Sequence, residues 1–332
     1  MKIVLLRTWL TNIGNGFIDK GAQTILRKAF PDSEIIEVSG YPNFTAGRKD
    51  TGIFPTVQNK LSNKLLGNSR PDQSYLDRTI NVSEYIDADL AVLPGCILYD
   101  HVIEKYSNVL QSLKDRDVPI VLLGVGGGDY QPKTQRYVKS FLREIEPIGM
   151  ITRDSNAYNA YKSDVDNTYD GIDCAFFIND WYEPPETEHN FTVLTFDKID
   201  EPKKLSYKSD IIRTDHFPFE QPHGTLWKKV KKMRKQSPFY KEDNIFVSDS
   251  IKDYLFFYSN ANVTHSDRIH ACLPTLAYGN KAKFWFDTPR GALFDKVLDE
   301  DIHTNQVRLD EDKVDRLKSE QVEAIQNIVS EM

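Results

Sequence analysis

An alternation of short apolar runs with helical patterns constrains this chain more than any other feature of its sequence. Residues 2–6 have the length and β-branched content of a buried strand. After a polar loop at residues 11–16, apolar side chains recur at helical spacing between residues 18 and 29, and residues 34–38 predict a second strand. This order is a βαβ unit, which requires a parallel sheet.

The alternation continues along the chain and predicts two α/β domains. In the first half we predict strands at 88–93, 120–125 and 150–152, with helices at 102–113, 137–145 and 155–161. The paired prolines Pro184 and Pro185 are typical of a linker. Beyond them we predict strands at 191–196, 210–213, 245–247, around 263 and at 282–286, with helices at 251–258, 268–278 and at the charged C-terminal end.

The length of the chain sets the predicted division. A chain of 332 residues is longer than a single hydrophobic core usually supports. We therefore predict two doubly wound α/β domains with a cleft between them. The first covers residues 1–180. The second covers residues 181–332 and includes the terminal helix.

Composition excludes several classes of protein. The 42 basic and 49 acidic residues give a net charge of −7, which argues against broad nucleic-acid binding. The three cysteines, Cys96, Cys174 and Cys272, form no CxxC pair, which argues against structural zinc and disulfides and indicates a reducing, cytoplasmic compartment. No apolar stretch approaches the roughly 20 residues that span a bilayer, so we expect a soluble or peripheral protein.

Three polar or glycine-rich loops follow predicted strands, where parallel sheets bind ligands. In the first, Gly14 permits close approach, while Asn12 and Asn15 contact a ligand hydroxyl or cap the helix. In the second, Gly126 and Gly127 predict a tight turn beside a substrate. That loop resembles a dinucleotide-binding fingerprint only loosely, because the GxGxxG order is absent. Plain turn chemistry is the alternative for both loops.

The third loop contains Arg153, followed by residues that cap a helix. Arg153 cannot face the adjacent Asp154 within a strand, so we interpret it as an anion ligand, with a structural ion pair as the alternative. Asp173 precedes an apolar run. It either orients Arg153 or caps the next helix.

The most specific site prediction is a helix that opens with Arg268 and His270. The N–H groups and dipole of a helix start attract anions, and a guanidinium with a titratable imidazole suits a phosphate or carboxylate that exchanges a proton. Side chains two positions apart do not share a helix face, but at the first turn both can reach the preceding loop. A cap or core role for His270 is the alternative. The pattern favours an enzyme that acts on a small anion.

Together these segments resemble the polysaccharide pyruvyl transferase family. The resemblance covers about residues 10–290 and rests on the segments at 12–15, 124–128, 153–155, 173–176 and 268–271. The segment Arg268-Ile269-His270-Ala271 is the most specific of them. In two places the chain departs from the family: Asn15 replaces a common aspartate, and residues 93–96 replace a more glycine-rich strand end.

The resemblance implies both a fold and a reaction. The fold is two Rossmann-like domains arranged as in GT-B glycosyltransferases, with the acceptor on the first domain and the donor on the second. The reaction moves the enolpyruvyl unit of phosphoenolpyruvate onto sugar hydroxyls of cell-surface glycans, usually as a ketal. Phosphoenolpyruvate is then a substrate, and no cofactor or metal is expected.

The predicted site combines the residues with the resemblance. Arg268 and His270 hold phosphoenolpyruvate, and His270 acts as an acid or as a phosphate ligand. The predicted substrate-binding residues are Arg153, Asn12, Gly14, Asn15, Gly126, Gly127 and Asp173. Two alternatives stay open: a GT-B glycosyltransferase that uses a nucleotide sugar, and a carbohydrate-binding relative without turnover.

Two further segments complete the predictions. Residues 41–68 are polar and weakly periodic, which predicts a long loop. A basic stretch predicts peripheral contact with an anionic membrane or a grip on a lipid-diphosphate acceptor, with a solvated helix face as the alternative. Its cations are Lys228, Lys229, Lys231, Lys232, Arg234 and Lys235.

Overall fold

Two parallel sheets organise the chain. A computed structural model describes residues 1–8, 12–40, 80–202, 209–216 and 242–332. The strands of the first sheet are β1 (Lys2–Arg7), β2 (Glu34–Ser39), β3 (Leu90–Pro94), β4 (Ile120–Val125), β5 (Gly149–Thr152) and β6 (Thr168–Asp170). They lie in the order β2-β1-β3-β4-β5-β6, and each pair of neighbours is parallel.

The second sheet is also parallel throughout. Its strands are β7 (Phe191–Thr195), β8 (Asp210–Thr214), β9 (Ile245–Phe246), β10 (Val263–Ser266) and β11 (Lys281–Phe284). They lie in the order β11-β10-β7-β8-β9. Strand order reverses beside β1 in the first sheet and beside β7 in the second, and ligands of doubly wound folds bind at such positions.

Helices cover both sheets, as the predicted alternation requires. They are α1 (Ile13–Ala29), α2 (Asp100–Lys114), α3 (Pro132–Ile145), α4 (Ser155–Tyr161), α5 (Ile178–Trp181), α6 (Ile251–Asn260), α7 (Ile269–Ala277) and α8 (Glu311–Ser330). Short 3₁₀ helices occur at Val82–Tyr85, Cys174–Phe177 and Pro289–Phe294. The central strands β3, β4 and β5 are buried at every residue, which explains their nearly continuous apolar sequences.

The prediction of a doubly wound α/β fold is confirmed, with differences in single elements. The strand β6 was not predicted, because its three residues are only half-buried and carry no apolar run. The loop predicted at residues 41–68 and the basic stretch at 228–235 lie outside the described residues. None of the described helices combines the length and apolar character that crossing a bilayer requires.

The terminal helix α8 packs against the first sheet, although the predicted division assigned it to the second domain. The side chain of Gln321 accepts a hydrogen bond from the backbone N–H of Ile172 at 2.6 Å, and Gln326 donates to the carbonyl oxygen of Ala29 at 2.9 Å. A Cβ on Gly149 in β5 would overlap the side chain of Ile328. The division of the chain at residue 180 stays a prediction.

The helix α1 joins the two domains because it is buried on nearly all sides. Phe17 lies edge-on to His216 and Tyr258 of the second domain, with ring centroids 6.1 Å apart in both pairs. On another side, Gly21 lies against the backbone of Cys174, where a Cβ would overlap the carbonyl oxygen. Glycine therefore sets how closely α1 approaches the 3₁₀ helix beside it.

We expect Gly21→Ala to lower the free energy of unfolding by about 1–3 kcal/mol, because the new methyl group meets backbone rather than a movable side chain. Gly291→Ala is the matched control, since its Cβ would stand 3.4 Å from the nearest atom, an ordinary contact. Urea unfolding of both variants measures the difference. Equal stability of the two variants would contradict this packing.

Candidate active site

The first glycine loop of the first domain meets the start of α7 in the second. Asn12 caps α1, and its Oδ1 accepts the N–H of Gly14 at 3.0 Å. A Cβ on Gly14 would lie 2.6 Å from the Cβ of His270. Only glycine allows this approach, so the two sequence motifs that lie furthest apart form one contact between the domains.

A buried chain of charged side chains lies at this contact. Oδ2 of Asp173 lies 3.1 Å from Nη1 of Arg153 and 3.4 Å from Nε2 of His270. All three residues are at most 6% exposed. Asp173 also caps the 3₁₀ helix by accepting the N–H of Ala175 at 2.9 Å. Both roles considered for Asp173 are therefore present in the geometry, and one carboxylate links the two domains.

Burial and neighbouring charges set the protonation of this chain. Burial works to raise the pKa of Asp173, but His270 and Arg153 outweigh it and hold this pKa well below its usual range. Burial works against the charge of Arg153, yet Cys96 and Asp173 keep its pKa above the ordinary value. Burial lowers the pKa of His270, and Asp173 opposes this only in part. These shifts favour a guanidinium, a carboxylate and a neutral imidazole at pH 7.

Among the described residues, two guanidinium nitrogens of Arg153 have no partner. Its Nε and Nη2 are buried and have no hydrogen-bond partner among the described residues. Gly126 makes room for this side chain, since a Cβ there would lie 2.5 Å from Nε. Because an unpaired buried donor is costly, the oxygens of an anion fit this position.

The side chain of Arg268 binds a residue of its own domain. It is the N-cap residue of α7, and its Nε and Nη2 both donate to the carboxylate of Asp197, which follows β7. Since β7 and β10 are the neighbours beside which strand order reverses, this ion pair lies where the fold predicts a ligand. Arg268 and His270 therefore have different partners, Asp197 in the second domain and Asp173 in the first.

The loop beside Arg268 is fixed by Asp267. Its carboxylate accepts the backbone N–H groups of Lys198 at 2.6 Å and Ile199 at 2.8 Å. Burial and the charge of Asp197 raise the pKa of Asp267 to about 6, although these hydrogen bonds oppose the rise. Asp267 thus orders the strand-end loop that presents Lys198.

Two cations that the sequence analysis did not single out, Arg290 and Lys198, complete the site. Nε of Arg290 is buried and has no hydrogen-bond partner in the described part of the chain. Burial, followed by the charges of Arg268 and Arg290, lowers the pKa of Lys198 to about 8. An anion between these groups would relieve their mutual repulsion. The Thr-Pro-Arg-Gly loop that closely follows a predicted strand was the clue to Arg290 in the sequence.

The segment that carries Arg290 is held on the first domain by Lys296. Nζ of Lys296 lies 2.8 Å from Oδ1 of Asp170 and donates to the carbonyl oxygen of Gly171 at 3.2 Å. This contact brings a residue of the second domain beside the strand ends of the first.

Asn15 and Gly127 lie at the edge of the site. The hydroxyl of Thr8 donates to the carbonyl oxygen of Asn15 at 3.4 Å, and the N–H of Gly127 donates to the hydroxyl of Tyr130 at 3.2 Å. Their substrate-binding roles stay predictions. Within the described ranges, no group of three or more His, Cys, Asp or Glu side chains is placed to hold a metal ion.

The fold and these strand-end loops define a two-domain, Rossmann-like α/β protein of the GT-B type with charged groups between its domains. The model of the family described as polysaccharide pyruvyl transferase matches residues 12–279, and the chain belongs to that family. The match includes every predicted site residue. No curated protein sequence matches the chain.

The chain is similar to solved structures of low sequence identity. UDP-N-acetylglucosamine 2-epimerase from Rickettsia bellii is 13% identical, with 99% of this chain and 96% of that chain covered and a TM-score of 0.52. UDP-GlcNAc 2-epimerase from Methanocaldococcus jannaschii is 11% identical, with 96% and 92% covered and a TM-score of 0.49. The likeness to the Rickettsia bellii structure shows the fold alone.

We expect Asp173→Asn to lower the free energy of unfolding by about 3–5 kcal/mol at pH 7, because it removes the charge that balances the buried Arg153. The pKa of Asp173 is depressed in the folded state, so its stabilisation is present above the unfolded pKa of about 3.9 and is lost as pH falls below it. The difference between wild type and variant should shrink below about pH 4.

Chemical denaturation between pH 3 and pH 7 measures this difference. Asp170→Asn is the control, because its partly exposed ion pair should contribute at most about 1 kcal/mol. A wild-type advantage that stayed constant down to pH 3 would rule out a depressed pKa for Asp173.

Proposed function

We propose that this protein transfers the enolpyruvyl unit of phosphoenolpyruvate to hydroxyls of a cell-surface polysaccharide or lipid-linked sugar, forming a pyruvate ketal. The observation that carries the proposal is the fully buried guanidinium of Arg153, which lies near His270 and whose Nε and Nη2 have no hydrogen-bond partner among the residues that the structure describes. A guanidinium with free N–H groups and an imidazole suits a donor that carries a carboxylate and a phosphate. Family membership supports the reaction class.

In this proposal the donor anion lies among the cations between the domains. Arg153 and Arg290 offer unpaired nitrogens, while Lys198 adds a charge that its neighbours already destabilise. Arg268 is bound to Asp197, so its role is to add positive charge and to fix the start of α7, where helix N–H groups attract a phosphate.

His270 would supply a proton to the donor or hold its phosphate. The carboxylate of Asp173 only accepts hydrogen bonds, so it fixes the proton on Nε2 of His270 and leaves Nδ1 for the donor. A bound phosphate favours the imidazolium, because an opposite charge raises the pKa of a histidine. Donor binding would thus favour the imidazolium form of His270, which carries the proton that the donor must receive.

The reaction itself needs four events that these residues can serve. The methylene carbon of the donor gains a proton, and the adjacent carbon becomes an oxocarbenium-like centre. A first acceptor hydroxyl attacks that carbon and gives up its proton, and the phosphate then leaves with the electrons of its bond to carbon, which forms an oxocarbenium-like centre again. A second acceptor hydroxyl attacks this centre and gives up its proton, which completes the ketal. The guanidinium groups stabilise the departing phosphate. No step of this scheme calls for a metal ion.

The acceptor side of the proposal rests on the first domain. Asn12 is the N-cap of α1 and Asn15 lies in its first turn, near α7, and we propose that this helix start contacts the acceptor sugar. A cytoplasmic location, with peripheral membrane contact through the basic stretch at 228–235, belongs to the same proposal.

We expect His270→Gln to lower phosphoenolpyruvate-dependent phosphate release at least 100-fold, because proton transfer by a positioned histidine contributes that much or more. Stabilisation of the variant by phosphoenolpyruvate in thermal unfolding should persist, since Arg153 and Arg290 remain. His189→Gln is the matched control, because His189 is exposed. Full activity of His270→Gln would refute the assignment.

The same assay separates the alternatives. Thermal stabilisation by a nucleotide sugar but not by phosphoenolpyruvate would favour a glycosyltransferase. Stoichiometric donor binding without phosphate release, tested across acceptor sugars, would favour a carbohydrate-binding relative without turnover.

A further inference from the structure

Cys96 lies at the edge of the donor site, on a loop that the backbone fixes in place. It follows Gly95, whose φ of +90° makes the sharp turn after β3. The N–H of Gly126 donates to the carbonyl oxygen of Gly95 at 3.3 Å, and the N–H of Leu98 donates to the carbonyl oxygen of Gly126 at 3.1 Å. The loop of Cys96 is therefore locked to the loop against which Arg153 packs.

The surroundings of Cys96 are positively charged. Gly126 lies against the guanidinium of Arg153, which is 1% exposed and keeps Nε and Nη2 unpartnered. Burial alone would raise the pKa of the Cys96 thiol, but the charges of Arg153 and Arg290 and a hydrogen bond from Tyr99 outweigh it and lower this pKa. The carbonyl oxygen of Gly127, 3.7 Å from Sγ, accepts the proton when the thiol is protonated.

The acidic groups nearby are occupied by other partners. Asp173 binds Arg153 through Nη1 and His270. Asp154 accepts hydrogen bonds from the hydroxyl of Tyr130 at 2.9 Å and from the N–H of Ala157 at 2.8 Å. Neither carboxylate therefore satisfies the two unpartnered nitrogens of Arg153.

We propose that donor binding controls the ionisation and the reactivity of the Cys96 thiol. Without the donor, the charges of Arg153 and Arg290 favour its thiolate form. When the carboxylate or phosphate of a ligand reaches these guanidinium groups, the thiolate loses its stabilisation and takes up a proton. Only the identity of the ligand as phosphoenolpyruvate rests on the proposed function.

This makes Cys96 a modification site for soft carbon electrophiles. With iodoacetamide, Sγ forms a bond to the methylene carbon while the carbon–iodine bond breaks and iodide leaves, so no oxidant is required. The chain supplies internal controls, because Cys174 and Cys272 are fully buried and burial raises their pKa values. They should stay unmodified in the folded protein.

The experiment measures iodoacetamide labelling of the full-length protein by peptide mass spectrometry between pH 6 and pH 8. We expect the labelling rate of Cys96 to rise less steeply with pH than that of an ordinary thiol, which would gain about tenfold per pH unit in this range. Inorganic phosphate or phosphoenolpyruvate should slow labelling at least fivefold. In Arg290→Met the pH dependence should approach that of an ordinary thiol, whereas Arg290→Lys should keep the wild-type profile.

Arg143→Met is the matched control, because this arginine is exposed and distant in the fold. An ordinary pH profile in the wild type, or equal profiles in Arg290→Met and Arg143→Met, would overturn the inference. If Arg290→Met did not fold, Arg290→Lys and the wild-type profile would still decide it. Protection by inorganic phosphate but not by phosphoenolpyruvate would refute the proposed donor and leave the thiolate intact.

Discussion

The site depends on one buried carboxylate, Asp173. It binds Arg153 of its own domain and His270 of the other, in surroundings where an isolated charge would be prohibitive. The same contact holds both the imidazole and the guanidinium. The carboxylate of Asp173 therefore both joins the two domains and positions the side chains of Arg153 and His270.

Each sheet contributes to the site from the position where its strand order reverses. In the first sheet that position is the end of β1, and Gly14 beyond it meets His270. In the second sheet it is the end of β7, where Asp197 binds Arg268. The 3₁₀ helix with Arg290 adds a cation from the second domain, held against the first by Lys296. Two half-sites thus face each other, each at the place its topology favours.

The sequence was sufficient to predict the fold class because periodicity and the alternation of strands with helices along the chain are local properties. Runs such as IVLLGV in β4 reveal buried parallel strands directly. The sequence also placed Arg153 at a strand end and His270 at a helix start, while their roles stay predictions. The partners of these residues could not be predicted: Asp173 lies 97 positions from His270, and Asp197 lies 71 from Arg268. Arg290 has only the weak signal of its Thr-Pro-Arg-Gly segment, and the tertiary fold is needed to show that Arg290 and Lys198 lie near each other.

The return of α8 to the first sheet gives the chain an unusual order of assembly. In topological terms the second sheet is an insertion, because the layer that covers β5 is supplied by the last helix of the chain. During synthesis, residues 1–180 emerge first but lack the side chains of Gln321 and Ile328 that complete their packing. The packing around the first sheet can therefore be completed only after the second sheet has been made.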